Sequence, residues 1–191
     1  MKSILTLLTS LLIIGCEPMS SQEDISTLDS NNEDKKILMD FELIDLQESM
    51  RSSSEWNGSA KLINFWATWC APCRREIPLL NQTQNGFNDK SIQIIGIAVD
   101  DFSEVVSYSK TTDFDYPVLI GEEEAIAIAE NSDVEFIGLP FTMIVTKNNE
   151  IIKTHIGEIK EHHIELITQV LRDIENEKLS IEEAKIELGS I

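Results

Sequence analysis

Basic residues are scarce in this sequence: 15 lysines and arginines stand against 34 aspartates and glutamates, a formal net charge of −19. A surface of that sign repels phosphate backbones, which argues against nucleic acid as a partner. Long apolar runs are missing too. The longest, residues 4–14, would reach about 16 Å as a helix, roughly half the hydrocarbon thickness of a bilayer, so a multi-span membrane protein is excluded. Cysteine occurs only three times, too seldom for a small disulfide-stapled scaffold. What is present is 42% hydrophobic and 26% charged residues over 191 positions, without visible internal repeats. That balance excludes wholesale disorder and suits one domain of ordinary size with appendages.

The cysteines are Cys16, Cys70 and Cys73, and the first belongs to an address. Lys2 gives a short positive start, residues 4–14 are apolar apart from Thr and Ser, and Gly15 precedes Cys16. This is the layout of a secretory signal core. Ile13-Ile14-Gly15-Cys16 resembles the bacterial lipobox, which implies cleavage before Cys16, a diacylglycerol on its thiol and attachment to a membrane. Ile13 stands where that motif usually has Leu, and the positive region holds a single Lys. The other reading is a soluble secreted protein cut nearby, with Cys16 removed or left free. Residues 17–36 are rich in Ser, Asp, Glu and Asn with no apolar period, and are expected to form a solvated tether spanning roughly 25 Å. The expected organisation is a signal peptide over 1–15, an acidic flexible tether over 16–36, a folded domain over 37–176 and a charged C-terminal extension over 177–191.

Within the domain, strands and helices alternate. Residues 41–46 read as a first short strand, and Trp56-Asn-Gly58 as a turn. Residues 61–66 form a continuous apolar strand of the kind buried on both faces of a parallel sheet. After a loop with Cys70 and Cys73, a helix runs to about Phe87. A second buried strand (92–99), a helix (102–110), a short strand (116–120) and a short helix (122–130) follow. Residues 142–146 and 151–155 flank Asn148-Asn149 as an antiparallel hairpin. Residues 160–174 form an amphipathic helix with Ile164, Ile167 and Leu171 on one face, and residues 180–188 suit one more short helix. This order predicts an α/β sandwich with a mixed sheet.

Cys70-Ala-Pro-Cys73 follows a buried strand and opens a helix, and that context makes the spacing informative. A cysteine at a helix start meets unpaired N–H groups and the positive end of the helix dipole, and both favour a thiolate. Arg74 and Arg75 add positive charge, and Pro72 suits a first turn, where no donor is needed. Cys70 is the expected nucleophile, exposed and of lowered pKa. Cys73, about one turn on, is near enough to attack a mixed disulfide and release the partner. Zinc is a weaker reading, since no second cysteine pair exists and His155, His162 and His163 lack matching ligand spacing. A purely structural disulfide would close too small a loop to stabilise much. The histidines are most simply solvated residues.

Asn64-Phe-Trp-Ala-Thr-Trp-Cys-Ala-Pro-Cys73 resembles the active-site segment of the thioredoxin superfamily, and more narrowly the TlpA/ResA-like extracytoplasmic thiol-disulfide oxidoreductases. The resemblance covers residues 37–174. It implies a thioredoxin-like three-layer α/β/α sandwich with a mixed central sheet and a TlpA-type insertion at about 113–130. Gly138-Leu-Pro-Phe-Thr142 matches the family's cis-proline loop, and Pro78 its helix-kinking proline. The resemblance makes Pro140 the cis residue beside a redox-active Cys70–Cys73 disulfide; local sequence alone favours a trans proline entering a strand. A cis bond there leaves the main chain of Leu139 facing outward for an extended substrate. Trp69 is expected to shield the nucleophile and offer partners an apolar contact, and Trp66 to be core.

Asn64 occupies the strand position where cytoplasmic thioredoxins commonly carry a buried Asp, and an amide cannot titrate. Glu76, three residues after Cys73, shares its helix face. Partly desolvated, it would have a raised pKa and exchange a proton with the Cys73 sulfur; a surface Glu favourable to the helix dipole is the other reading. A Glu here is characteristic of ResA-like members. The resemblance therefore implies a membrane-anchored oxidoreductase with no cofactor beyond its redox-active disulfide. Its partners would be thiol or disulfide proteins such as apocytochrome c, and a membrane electron donor. The alternatives are a disulfide-forming oxidant and a Sco-like copper chaperone; the latter family uses a longer cysteine spacing and a distant His.

Overall fold

The computed structural model describes residues 35–87 and 91–191. The expected signal peptide, Cys16 and the tether up to residue 34 lie outside the described residues. At the centre stands β3 (Ala60–Trp66), in which every residue is buried. A strand apolar on both faces needs cover on both sides and neighbours at both edges. β4 (Ile92–Val99) pairs with it in parallel and β6 (Phe141–Val145) antiparallel. With β1 (Glu42–Asp45), β2 (Met50–Ser52), β5 (Val118–Gly121) and β7 (Ile151–Ile156), the mixed sheet runs in the order β2-β1-β5-β4-β3-β6-β7.

Five α-helices complete the described chain: α1 (Ala71–Gly86), α2 (Phe102–Ser109), α3 (Glu123–Asn131), α4 (Glu161–Glu175) and α5 (Ile181–Glu187). Alternation along the strands divides the core in two. Leu62, Trp66, Ile94 and Ile144 point to the face covered by Ile77 and Leu80 of α1 and by Ile164, Ile167, Val170 and Leu171 of α4. Ile63, Phe65, Ile97 and Met143 point to the opposite face, against Ala125, Ile128 and Ala129 of α3. The result is the expected three-layer, thioredoxin-like sandwich. Gly96 lies opposite Asn64 in the ladder, where a Cβ would stand 2.9 Å from the Tyr116 ring, so the aromatic group under β4 requires glycine there.

The hairpin turns at Asn148-Asn149 as its sequence predicts, with Asn149 in the left-handed region (φ 63°). The Asn149 amide oxygen accepts from the Nζ of Lys61 at 2.7 Å, and burial lowers the pKa of that lysine to about 8. Glu150, beside the turn, pairs with Lys35 at 3.2 Å and with Lys185 of α5 at 3.3 Å.

The 177–191 segment is charged on its outer side but docks on the domain. Ser180 and Glu183 cap α5 reciprocally, and Ala184 and Leu188 are fully buried in the α1/α4 core. Leu188→Ala is therefore expected to cost about 2 kcal/mol in urea unfolding. A midpoint equal to wild type would make the segment a mere appendage.

Candidate functional site

The chain leaves β3 through a loop anchored by Asp100, whose Oδ2 accepts from the Thr68 N–H at 2.8 Å and its hydroxyl at 2.6 Å. Cys70 then caps α1: its Sγ accepts from the Cys73 N–H at 3.3 Å. The two sulfurs are bonded, with Cα atoms 5.3 Å apart. Cys70 was expected to be exposed, and the structure corrects this. In the disulfide it keeps 5% of its surface and Cys73 none, because the capping sulfur folds back over the first turn. Cys70 remains the more accessible of the two. Trp69, next to it, is 69% exposed, while Trp66 is wholly core.

No acidic side chain lies in the first turn of α1, so its dipole faces Cys70 unopposed there. Arg75 contributes less than its position suggests, because Glu158 takes its guanidinium at 2.6 Å.

The Leu139–Pro140 peptide bond is cis. Pro140 is buried, and Leu139 packs against the cluster that contains both cysteines. The Leu139 N–H and C=O have no hydrogen-bond partner among the described residues. Ile137 and Ile156 are exposed at this same end of the sheet, as is Trp69.

Glu76 is 1% exposed, on the same turn of α1 as Cys73. Asn64 Nδ2 donates to its Oε1 at 2.8 Å, and the Ile159 N–H donates to its Oε2 at 2.7 Å. Burial raises its pKa to about 7, against the pull of the two hydrogen bonds and with help from the charge of Glu158. A carboxyl poised there takes up and releases a proton near neutrality.

Two features escape the sequence reading. Thr142 accepts from Asn64 Nδ2 at 3.1 Å, a partnership visible only once β3 and β6 are in register. The histidines are not all solvated. His155 and His163 are half-buried, with ring centroids 4.7 Å apart, His162 meets His163 edge-on at 4.1 Å, and burial lowers the pKa of both His155 and His163. Among the described residues no group of three or more His, Cys, Asp or Glu is arranged to hold a metal.

Residues 32–171 match the family model described as Redoxin. The chain is 28% identical over 128 residues to the thiol-disulfide oxidoreductase ResA of Geobacillus kaustophilus, covering 66% of this chain and 71% of that protein. It is 30% identical over 129 residues to the thioredoxin-like protein YneN of Bacillus subtilis, covering 66% and 73%. Among solved structures, a thiol:disulfide interchange protein of the thioredoxin family from Chlorobium tepidum superposes with a TM-score of 0.64 at 26% identity, over 72% of this chain and 96% of that one.

Proposed function

The chain belongs to the Redoxin family and is a ResA-like thiol-disulfide oxidoreductase with a Cys70–Cys73 pair, and from that premise we propose that it is a reductase of partner-protein disulfides. The observation that carries the reading is the disulfide at the N-terminus of α1 with a buried carboxyl, Glu76, one turn beyond it. In the reduced enzyme, the Cys70 thiolate attacks one sulfur of a partner disulfide, and the partner's other sulfur leaves as a thiolate. Cys73 gives its proton to Glu76 and attacks Cys70. The mixed bond breaks, the Cys70–Cys73 disulfide forms, and the partner's second sulfur departs. Two electrons have passed to the partner, whose two thiolates take up protons. A membrane electron donor then resets the pair.

The partner's chain lies extended along Leu139 and Pro140, pairing with the free main chain of Leu139, while Trp69 covers the apolar side of its cysteine. The cysteine pair of apocytochrome c is the substrate that the family resemblance implies. Lipid attachment at Cys16 would hold the domain on the extracytoplasmic side of a membrane.

Equilibration with glutathione tests the direction. The expected potential is close to that of thioredoxin, about −270 mV. A value near the −120 mV (approximately) of the oxidant DsbA would overturn the reductase reading.

A further inference from the structure

Both hydrogens of the Asn64 amide are engaged, one by Glu76 at 2.8 Å and one by the Thr142 hydroxyl at 3.1 Å. The amide oxygen is buried with no hydrogen-bond partner among the described residues. Thr142 Oγ1 accepts the amide hydrogen, so its own proton points elsewhere. His155 stands opposite Thr142 in the β6–β7 ladder, on the same face, and its Nε2 is also buried without a partner among the described residues. A polar row thus crosses β3, β6 and β7, with two unused acceptors in it.

An ionised carboxylate only accepts hydrogen bonds, whereas its acid must also donate one. Asn64 Nδ2 and the Ile159 N–H both donate to Glu76. Once protonated, Glu76 finds no acceptor in either of these two partners as they now stand. A half-turn of the Asn64 amide provides one, bringing Oδ1 to where Nδ2 was, within reach of both the Glu76 acid and the Thr142 hydroxyl.

We propose that Asn64 is a positioning residue whose amide turns with the protonation of Glu76, Nδ2 facing the carboxylate and Oδ1 facing the acid. The inference rests on the reading of Glu76 as proton acceptor for Cys73. In that step one proton leaves the Cys73 sulfur and arrives on Glu76; nothing else along the row changes except direction. The Thr142 hydroxyl, which now accepts from the amide, turns its proton onto Asn64 Oδ1. The titratable groups facing this pocket are Cys73 on α1, Tyr116 ahead of β5, His155 on β7, and Glu158 ahead of α4, whose charge is shared with Arg75.

The side-chain amide of Asn64 reports the turn directly by nuclear magnetic resonance in the ¹⁵N-labelled oxidised protein. Its hydrogens are expected to show contacts to Thr142 at high pH, to lose them as Glu76 protonates, and to shift with the same midpoint. In Glu76→Gln, whose amide must donate as the acid does, they are expected to stay in the low-pH state at every pH. Contacts to Thr142 that persist unchanged through the Glu76 titration would overturn the proposal. As a second measurement, the infrared carboxyl band that Glu76→Gln removes should persist in Asn64→Leu to a pH about one unit higher, tenfold in proton concentration, because the charge-assisted bond lost to the carboxylate outweighs the neutral bond lost to the acid. An unmoved midpoint would count equally against it. Neither readout needs turnover. A Glu76→Gln enzyme with wild-type exchange rate and pH profile would remove Glu76 from the chemistry, while the turning amide would stand or fall on its own spectrum.

Discussion

Cys73→Ser is expected to leave the protein covalently joined to its partners through Cys70. The attack that releases a partner comes from the Cys73 sulfur, which in the native chain sits one turn from Cys70 and is fully buried. Without it the mixed disulfide has no internal exit, and non-reducing electrophoresis should show adducts that dithiothreitol dissolves. Cys70→Ser should form none and lose turnover altogether, since the remaining thiol is the one with no exposed surface. Adducts formed through Cys73 in place of Cys70 would reverse the two roles. Identifying the proteins trapped on Cys73→Ser expressed in its native cells would name the substrate.

Glu76→Gln is expected to change both stability and rate with pH. The folded-state pKa of Glu76 is about 7, above its ordinary value of 4.5, with burial as the main cause. The folded protein therefore binds the proton more tightly than the unfolded chain. The stability this gives is complete below about pH 4.5 and is lost as pH rises through about 7. The loss amounts to about 3 kcal/mol. Urea unfolding of the two oxidised proteins should show the variant gaining on wild type by that order between pH 5 and pH 8. The rate of partner release in wild type should rise with pH through the Glu76 titration, because only the carboxylate accepts the Cys73 proton; in the variant that inflection should vanish. A difference in stability that does not vary with pH, with matching rate profiles, would make Glu76 a bystander.

The redox centre was legible because it depends on local order. A wholly apolar strand and Cys-Ala-Pro-Cys at a helix start are each complete within a few residues, whereas the cis proline of Gly-Leu-Pro-Phe-Thr was legible only through the family resemblance. The hairpin at Asn148-Asn149 was legible for the same reason. β2 was not, since Met50-Arg51-Ser52 has no alternation to betray it and becomes a strand only by pairing with β1. The burial of Cys70 was missed because a sequence gives the position of a capping residue but not how far its sulfur folds back. The Asn64–Thr142 contact joins residues 78 positions apart, and no spacing rule reaches that far. The helix over 180–188 was legible but its docking was not, because the two fully buried anchors, Ala184 in α5 and Leu188 just after it, are outnumbered by carboxylates.

The clasp around Glu150 fixes a layout for the whole domain. Lys35 and Lys185 both pair with this carboxylate, and the Ile37 main chain bridges to that of Glu150, so the two ends of the described chain meet at the hairpin tip. That tip lies beside the start of β3, while Cys70 follows its finish. Lys35 therefore enters the domain at the pole of the sheet opposite the disulfide, so a group joined to that end of the described chain would stand clear of the sulfurs.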